Sequence, residues 1–193
     1  MKKLIACLGA TLCLFTATVS ASAASFDYID TQTKAHEIAQ TARNIGLPED
    51  DPIIQRASEL WWEANEKFKY DRDIVATVIY NEAWYDCSTR HRELVAAVVC
   101  NRVQSDKFPS SVYEVVVAPK QYLPAYANAN SFYGQRAREN PEAWKECQRI
   151  AAKALRGEIE CPPNVLYQAN FKQGKGVYEI HRTSYSTSYF CYG

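Results

Sequence analysis

The sequence predicts a mainly helical α+β domain that closes on a small C-terminal antiparallel sheet. Three observations carry that prediction. Apolar residues recur at helical spacing through DRDIVATVIYNEAWYD and RHRELVAAVVCNRVQSD. Capping and breaking residues stand between these runs, as in Gly46, Pro48, Pro109, Asn140-Pro141 and Gly157. Beyond Cys161 the character changes to short runs rich in Tyr, Val and Phe.

The elements follow in order. MKKLIACLGATLCLFTATVSASAAS has two lysines, an apolar run and small residues, so residues 1–24 read as a secretory signal peptide, cleaved after Ala23 or Ala24. No later segment is apolar enough to span a bilayer. Residues 25–70 read as an N-terminal helical extension. A polar helix over about residues 31–44 ends at Gly46 and Pro48. Asp50 or Asp51 caps a second helix, with Pro52 in its first turn, running to about Lys67 and carrying Trp61 and Trp62. A main domain then spans residues 71–193. Asp71 with Asp73 opens the helix that ends near Glu82. Ser88 or Thr89 opens the most apolar helix, and Pro109 with Ser110 begins a short one through Val117. Residues 119–140 show no clear period, and a segment that long in a compact domain is usually functional or mobile. Asn140-Pro141 starts a helix that Gly157 ends, and NVLYQANF, GVYEIHR and TSYFCY are the strands.

Charge and cysteines limit the function classes. The 193 residues carry 22 Lys+Arg and 22 Asp+Glu. Without Lys2 and Lys3 the balance is 20 to 22, a net charge of −2, which gives no pull toward nucleic acid. Export makes disulfides permissible. Cys7 and Cys13 leave with the signal peptide, and five cysteines remain, an odd number. Cys100, inside an apolar helix, is expected to stay free. A Cys161–Cys191 bridge is the favoured pair, and Cys87–Cys147 is a further candidate. His36, His91 and His181 are scattered without a zinc-binding pattern, and no helix follows QGKG to make it a phosphate loop. No cofactor or metal is therefore expected.

One residue breaks the apolar pattern. Ile74, Val75, Val78 and Ile79 form a stripe whose next position is Glu82. A carboxylate is costly to bury, and here the helix's C-terminal carbonyls also point at it. Both effects favour the protonated acid, the form that glycosidic-bond cleavage requires. Asn101 shares a helix face with Leu94, Ala97 and Val98, so its amide must find hydrogen bonds and is expected to tie down the Glu82 helix or the sheet. Arg102 beside it is expected on the solvated outer face, with Asp86 or a ligand carboxylate as its other partners. Tyr167 and Gln168 project to opposite faces of the first strand, so one of them faces a cleft.

The run NEAWYDCSTRHRELVAAVVCNRVQSDKFPSSVYEVVVAPKQY and the tail NVLYQANF…YFCYG resemble the SleB-type family of spore-cortex-lytic and cell wall hydrolases, over about residues 71–193. The resemblance implies a lysozyme-like fold and lytic transglycosylation of peptidoglycan glycan strands, with Glu82 at the position of the catalytic acid. Asp86 stands where the family often has a second acid, but Tyr85 replaces the glycine before it. Gln121 and Tyr122 match the family's cleft element, and Tyr167 is assigned to the sugar groove with them. The partner is then a peptidoglycan glycan strand, met by an exported monomer without nucleic acid or membrane. Rival readings are an amidase or stem-peptide hydrolase using Cys87 and His91, four apart, as nucleophile and base, and a non-catalytic wall-binding module.

Overall fold

The computed structural model describes residues 26–193. The expected signal peptide, with Cys7 and Cys13, lies outside the described residues. The chain divides into two compact units, one ending at Lys69 and the other Tyr70–Gly193. Among the described residues no helix is long and apolar enough to cross a membrane.

The first unit holds α1 (Asp27–Asn44) and the first part of α2 (Pro52–Ala83). Gly46, with φ +83°, ends the first helix in the left-handed region that glycine enters without strain. Asp51 accepts the Ile53 N–H at 2.8 Å and opens the second. Ile38, Ala39 and Ala57 form the buried contact between α1 and α2, with Ile53 packed against them.

Here the structure corrects one boundary. The two helices expected on either side of residues 68–70 are one helix of 32 residues. KFKYDRD contains neither Gly nor Pro to stop it. Asp71 is buried inside the helix rather than capping a new one.

The second unit is α+β. It comprises the end of α2, α3 (Thr89–Gln104), α4 (Val112–Val117), a 3₁₀ turn (Pro124–Ala127), α5 (Phe132–Arg138), α6 (Pro141–Leu155), and strands β1 (Val165–Ala169), β2 (Val177–Arg182) and β3 (Thr187–Tyr192). Each cap matches a residue flagged by the sequence or its neighbour. Ser88 accepts the His91 N–H at 3.1 Å, Ser111 the Glu114 N–H at 3.2 Å, and Asn140 the Ala143 N–H at 3.1 Å. Helix α3 is apolar all round because it is the central element: every residue from Leu94 to Val103 is buried. It packs against α6 and β1.

The sheet order is β1-β3-β2, antiparallel throughout. Strand β3 is central because residues 183–186 return the chain in a tight turn, the Thr183 N–H donating to the Ser186 carbonyl at 2.9 Å. The Gly174–Gly176 segment is a turn. An added Cβ at Gly174 would sit 2.0 Å from the Tyr192 carbonyl, where Lys175 N–H donates.

Neither expected disulfide forms. Cys87, Cys100, Cys147, Cys161 and Cys191 are all free thiols. Cys161 precedes β1 and faces the Asn101 amide at 3.7 Å. Cys191 is fully buried on β3, opposite Tyr167. Burial pushes the Cys147 thiol up to about 12.

Candidate functional site

Glu82 is the second-last residue of α2, and the chain leaves the helix at Ala83. Ile74, Val75, Val78 and Ile79 are buried as their spacing requires, and Ala83 is buried too. Glu82, by contrast, is exposed. At this turn the apolar stripe runs out of core and into a groove. The exposure is access to that groove rather than to bulk water, because protein crowds the carboxyl on several sides. Desolvation therefore raises its pKa above the ordinary carboxylate value, while a hydrogen bond from the Tyr126 hydroxyl acts in the opposite sense.

The helix-end dipole contributes less than the sequence suggested, because Arg92 covers the helix end. Its Nε donates to the Ala83 carbonyl at 3.1 Å and its Nη2 to the Trp84 carbonyl at 2.7 Å. The guanidinium lies 4.3 Å from the Trp84 ring centroid. A cation on these carbonyls offsets their negative field.

Two cavities of about 220 Å³ each meet at Glu82 and share Ser186 and Ser188. The first is polar, walled by Arg102, Gln121, Tyr122, Gln168 and Asn170. The second is more aromatic, with Trp84, Tyr85 and Tyr185 around Asp86, Cys87 and His91. The structure thus brings together Glu82, Arg102, Gln121 and Tyr122, four residues singled out in the sequence, on one cavity wall. Gln168, not Tyr167, faces this wall. Strand alternation places Tyr167 on the opposite side, where it packs edge-on to Phe108 at 6.4 Å.

Asp86 lines the second cavity, but its carboxylate accepts the Ser184 backbone N–H at 2.7 Å. That bond holds its pKa below the usual value. Asp86 thereby fastens the β2–β3 turn beside the groove. Nearby Arg90 pairs with Glu179, at 2.9 Å, rather than with Asp86. Because the Asp86 pKa is depressed, this contribution is present above the unfolded value and lost as pH falls through the folded one. An Asp86→Asn variant is expected to exchange the Ser184 amide faster than the parent at neutral pH, and to match it at pH low enough to protonate Asp86. Amide exchange across pH checks this.

Asn101 is structural. Its Nδ2 donates to the Pro162 carbonyl at 2.8 Å and the Val165 carbonyl at 3.0 Å, so it ties α3 to β1. Arg102 is not on the outer face: it is 4 % exposed and its Nε donates to the Leu166 carbonyl at 2.8 Å. The guanidinium stands 5.2 Å from the ring centroids of both Phe108 and Tyr122.

Cys87 and His91 line the same cavity without forming a dyad. Neither His91 ring nitrogen has a hydrogen-bond partner. Burial raises the Cys87 thiol pKa, which disfavours a nucleophilic thiolate. Burial first, then His181, lowers the His91 imidazole to about 4. His91 and His181 lie 5.1 Å apart, both edge-on to Phe190.

Tyr126, the hydrogen-bond partner of Glu82, and Arg92, which covers the end of its helix, were not singled out by sequence reasoning, and Gln168 was left there as the alternative to Tyr167. Tyr126 belongs to the aperiodic 119–140 segment, whose length alone was the signal. Its 3₁₀ turn is followed by α5, where Gly134 fits against the backbone: a Cβ there would meet the Asn128 and Ala129 carbonyls at 2.5 and 2.6 Å. Gly134→Ala is expected to displace this segment and cost about 1–3 kcal/mol of stability, with a lower melting temperature and a several-fold slower turnover as readouts.

Glu82, with the Tyr126 hydroxyl beside it, stands where the two cavities meet, the arrangement of a cleft that takes an extended ligand. The profile of the Cell Wall Hydrolase family matches residues 86–182, and the chain belongs to this family. Its substrate class is accordingly peptidoglycan. The match begins four residues after Glu82. No curated protein and no solved structure matches the chain.

Proposed function

We propose that the chain is an exported lytic transglycosylase of peptidoglycan, with a lysozyme-like catalytic domain over residues 71–193 and Glu82 as its single acid–base group. Glu82 protonates the glycosidic oxygen between N-acetylmuramic acid and N-acetylglucosamine, and the C1–O bond breaks. The carboxylate left behind takes the proton of the muramic C6 hydroxyl, whose oxygen closes on C1 to give a 1,6-anhydro end. No water is consumed, and Glu82 is restored in its protonated form.

The observation that carries this reading is the contrast between two carboxylates. Glu82 borders both cavities and has its pKa raised, as a group that both gives and takes a proton needs. Asp86 is engaged by the Ser184 N–H and stays ionised. It is poorly placed to act as a second catalytic group. Residues 1–24 serve as signal peptide in this reading, residues 25–70 form a separate extension, and the mature protein acts as a monomer.

Mass spectrometry of digested peptidoglycan tests the reaction. Anhydro-muramic ends are expected. Reducing muramic ends would mean hydrolysis, freed stem peptides would mean an amidase, and sedimentation with the wall without soluble products would mean a binding module. Iodoacetamide is expected to leave lysis intact.

A further inference from the structure

We propose that the polar cavity beside Glu82 is the subsite for muramic acid, that Arg102 binds the acyl oxygen of its 3-O-lactyl arm, and that Gln168 Oε1 accepts the N–H of the stem amide. This rests on the proposed action on glycan strands and assigns which sugar lies on which side of the acid.

Arg102 is the starting point. It is a cation almost completely removed from water, and such groups are ordinarily paired. Among the described residues no carboxylate forms an ion pair with it. Its Nε is used by the Leu166 carbonyl, and its Nη1 is buried without a hydrogen bond. Burial raises the Tyr122 hydroxyl pKa, and the Arg102 guanidinium beside it opposes this by its charge and by a weak hydrogen-bonding contact. Yet Nη1 and that hydroxyl both lack a partner at full hydrogen-bonding geometry. Gln168 Oε1, on the same wall, is also buried without a partner. Two side chains that line one cavity and hold unmet hydrogen-bonding capacity call for a ligand with polar groups of matching kind.

Peptidoglycan offers one discriminating group of that kind. Its two sugars share the ring and the acetamido substituent. They differ in the lactyl ether on muramic acid, which ends in a carboxylate, or in an amide where a stem peptide is attached. Both ends present an acyl oxygen that a guanidinium can bind, the carboxylate with added charge. The amide also has an N–H suited to the Gln168 oxygen. N-acetylglucosamine has only an uncharged hydroxyl at that carbon, three bonds short of the lactyl acyl oxygen and a weaker partner for a guanidinium. Glucosamine then occupies the cavity of Trp84, Tyr85 and Tyr185, where sugar rings can stack on aromatic faces. Muramic C1 faces Glu82 from the Arg102 side.

The test uses full-length protein carrying Glu82→Gln, so that binding is measured without cleavage. Its affinity is compared for stem-free muramic-containing strands, stem-bearing strands and chito-oligosaccharides of equal length. Both muramic ligands are expected to bind about 10- to 100-fold tighter than chito-oligosaccharide. If only the stem-free strand is favoured, and salt weakens it, the carboxylate is the group read. If only the stem-bearing strand is favoured, it is the amide. Adding Arg102→Met is expected to erase the preference for both muramic ligands, Gln168→Leu to remove the part that the stem amide adds, and Arg102→Lys to restore binding in part for the carboxylate alone. Because Arg102 also supports β1, Gln168→Leu decides if Arg102→Met does not fold. Equal affinity for all three ligands, or a preference for the stem-bearing strand unchanged in Gln168→Leu, overturns the proposal. Such a result leaves Glu82 chemistry untouched, whereas cleavage surviving Glu82→Gln removes the catalytic reading and leaves this comparison standing.

Discussion

Replacing Glu82 by Gln is expected to reduce the release of soluble glycan fragments by about 10²- to 10⁴-fold, the range for losing a positioned general acid. The amide keeps the shape of the acid and its contact with Tyr126, but it can neither give nor accept the proton. The same substitution is expected to leave stability unchanged or raise it at neutral pH. A carboxyl whose folded pKa is raised adds stability that is complete below its unfolded value and lost as pH rises through the folded one. Above the unfolded value the parent progressively loses that contribution, whereas the neutral Gln keeps it. Activity falling while the melting temperature holds or climbs is the signature of a functional acid. Turnover in the parent is expected to decline on the alkaline side as Glu82 loses the proton it must donate. Fragment release and thermal melts over a pH series measure both. Near-normal cleavage by Glu82→Gln would reassign the acid.

The largest effect on stability is expected from Asn101→Leu, about 2–4 kcal/mol. Leucine approximates the volume of the amide but leaves the Pro162 and Val165 carbonyls without their Nδ2 donor in a site where Asn101 is only 8 % exposed. For a chain of this size that corresponds to a drop of roughly 5–15 °C in melting temperature. Strand β1 also carries Gln168, so weaker substrate binding is expected to accompany it. A change in melting temperature of under 2 °C would mean that the α3–β1 tie contributes little.

Much of the secondary structure was legible because its causes are local. The stripe of Ile74, Val75, Val78 and Ile79, the Ser88 and Asn140 caps and the Gly157 stop each lie within one or two helical turns of what they control. The long α2 was missed because Asp71 and Asp73 looked like caps. Their role depends on what surrounds them, since nothing in KFKYDRD itself either breaks or continues a helix decisively. The disulfide expectations failed for a related reason. Export permits pairing, but only the fold decides whether two thiols meet, and Cys161 meets Asn101 instead.

At the groove the division falls between residue type and residue direction. By itself the sequence determined that an acid interrupts an apolar helix, that an amide and a guanidinium sit together on the most buried one, and that the chain ends in a Tyr-rich sheet. Only the tertiary structure decided that Arg92 covers the end of the Glu82 helix, that Asp86 is taken by a turn 98 residues away, that Tyr126 stands against Glu82, and that Gln168 rather than Tyr167 lines the cleft. Periodicity is a property of neighbours along one element, so a sequence carries it whole. The field at a carboxyl is the sum over every group that folding brings near it, and those groups arrive from segments far apart along this chain.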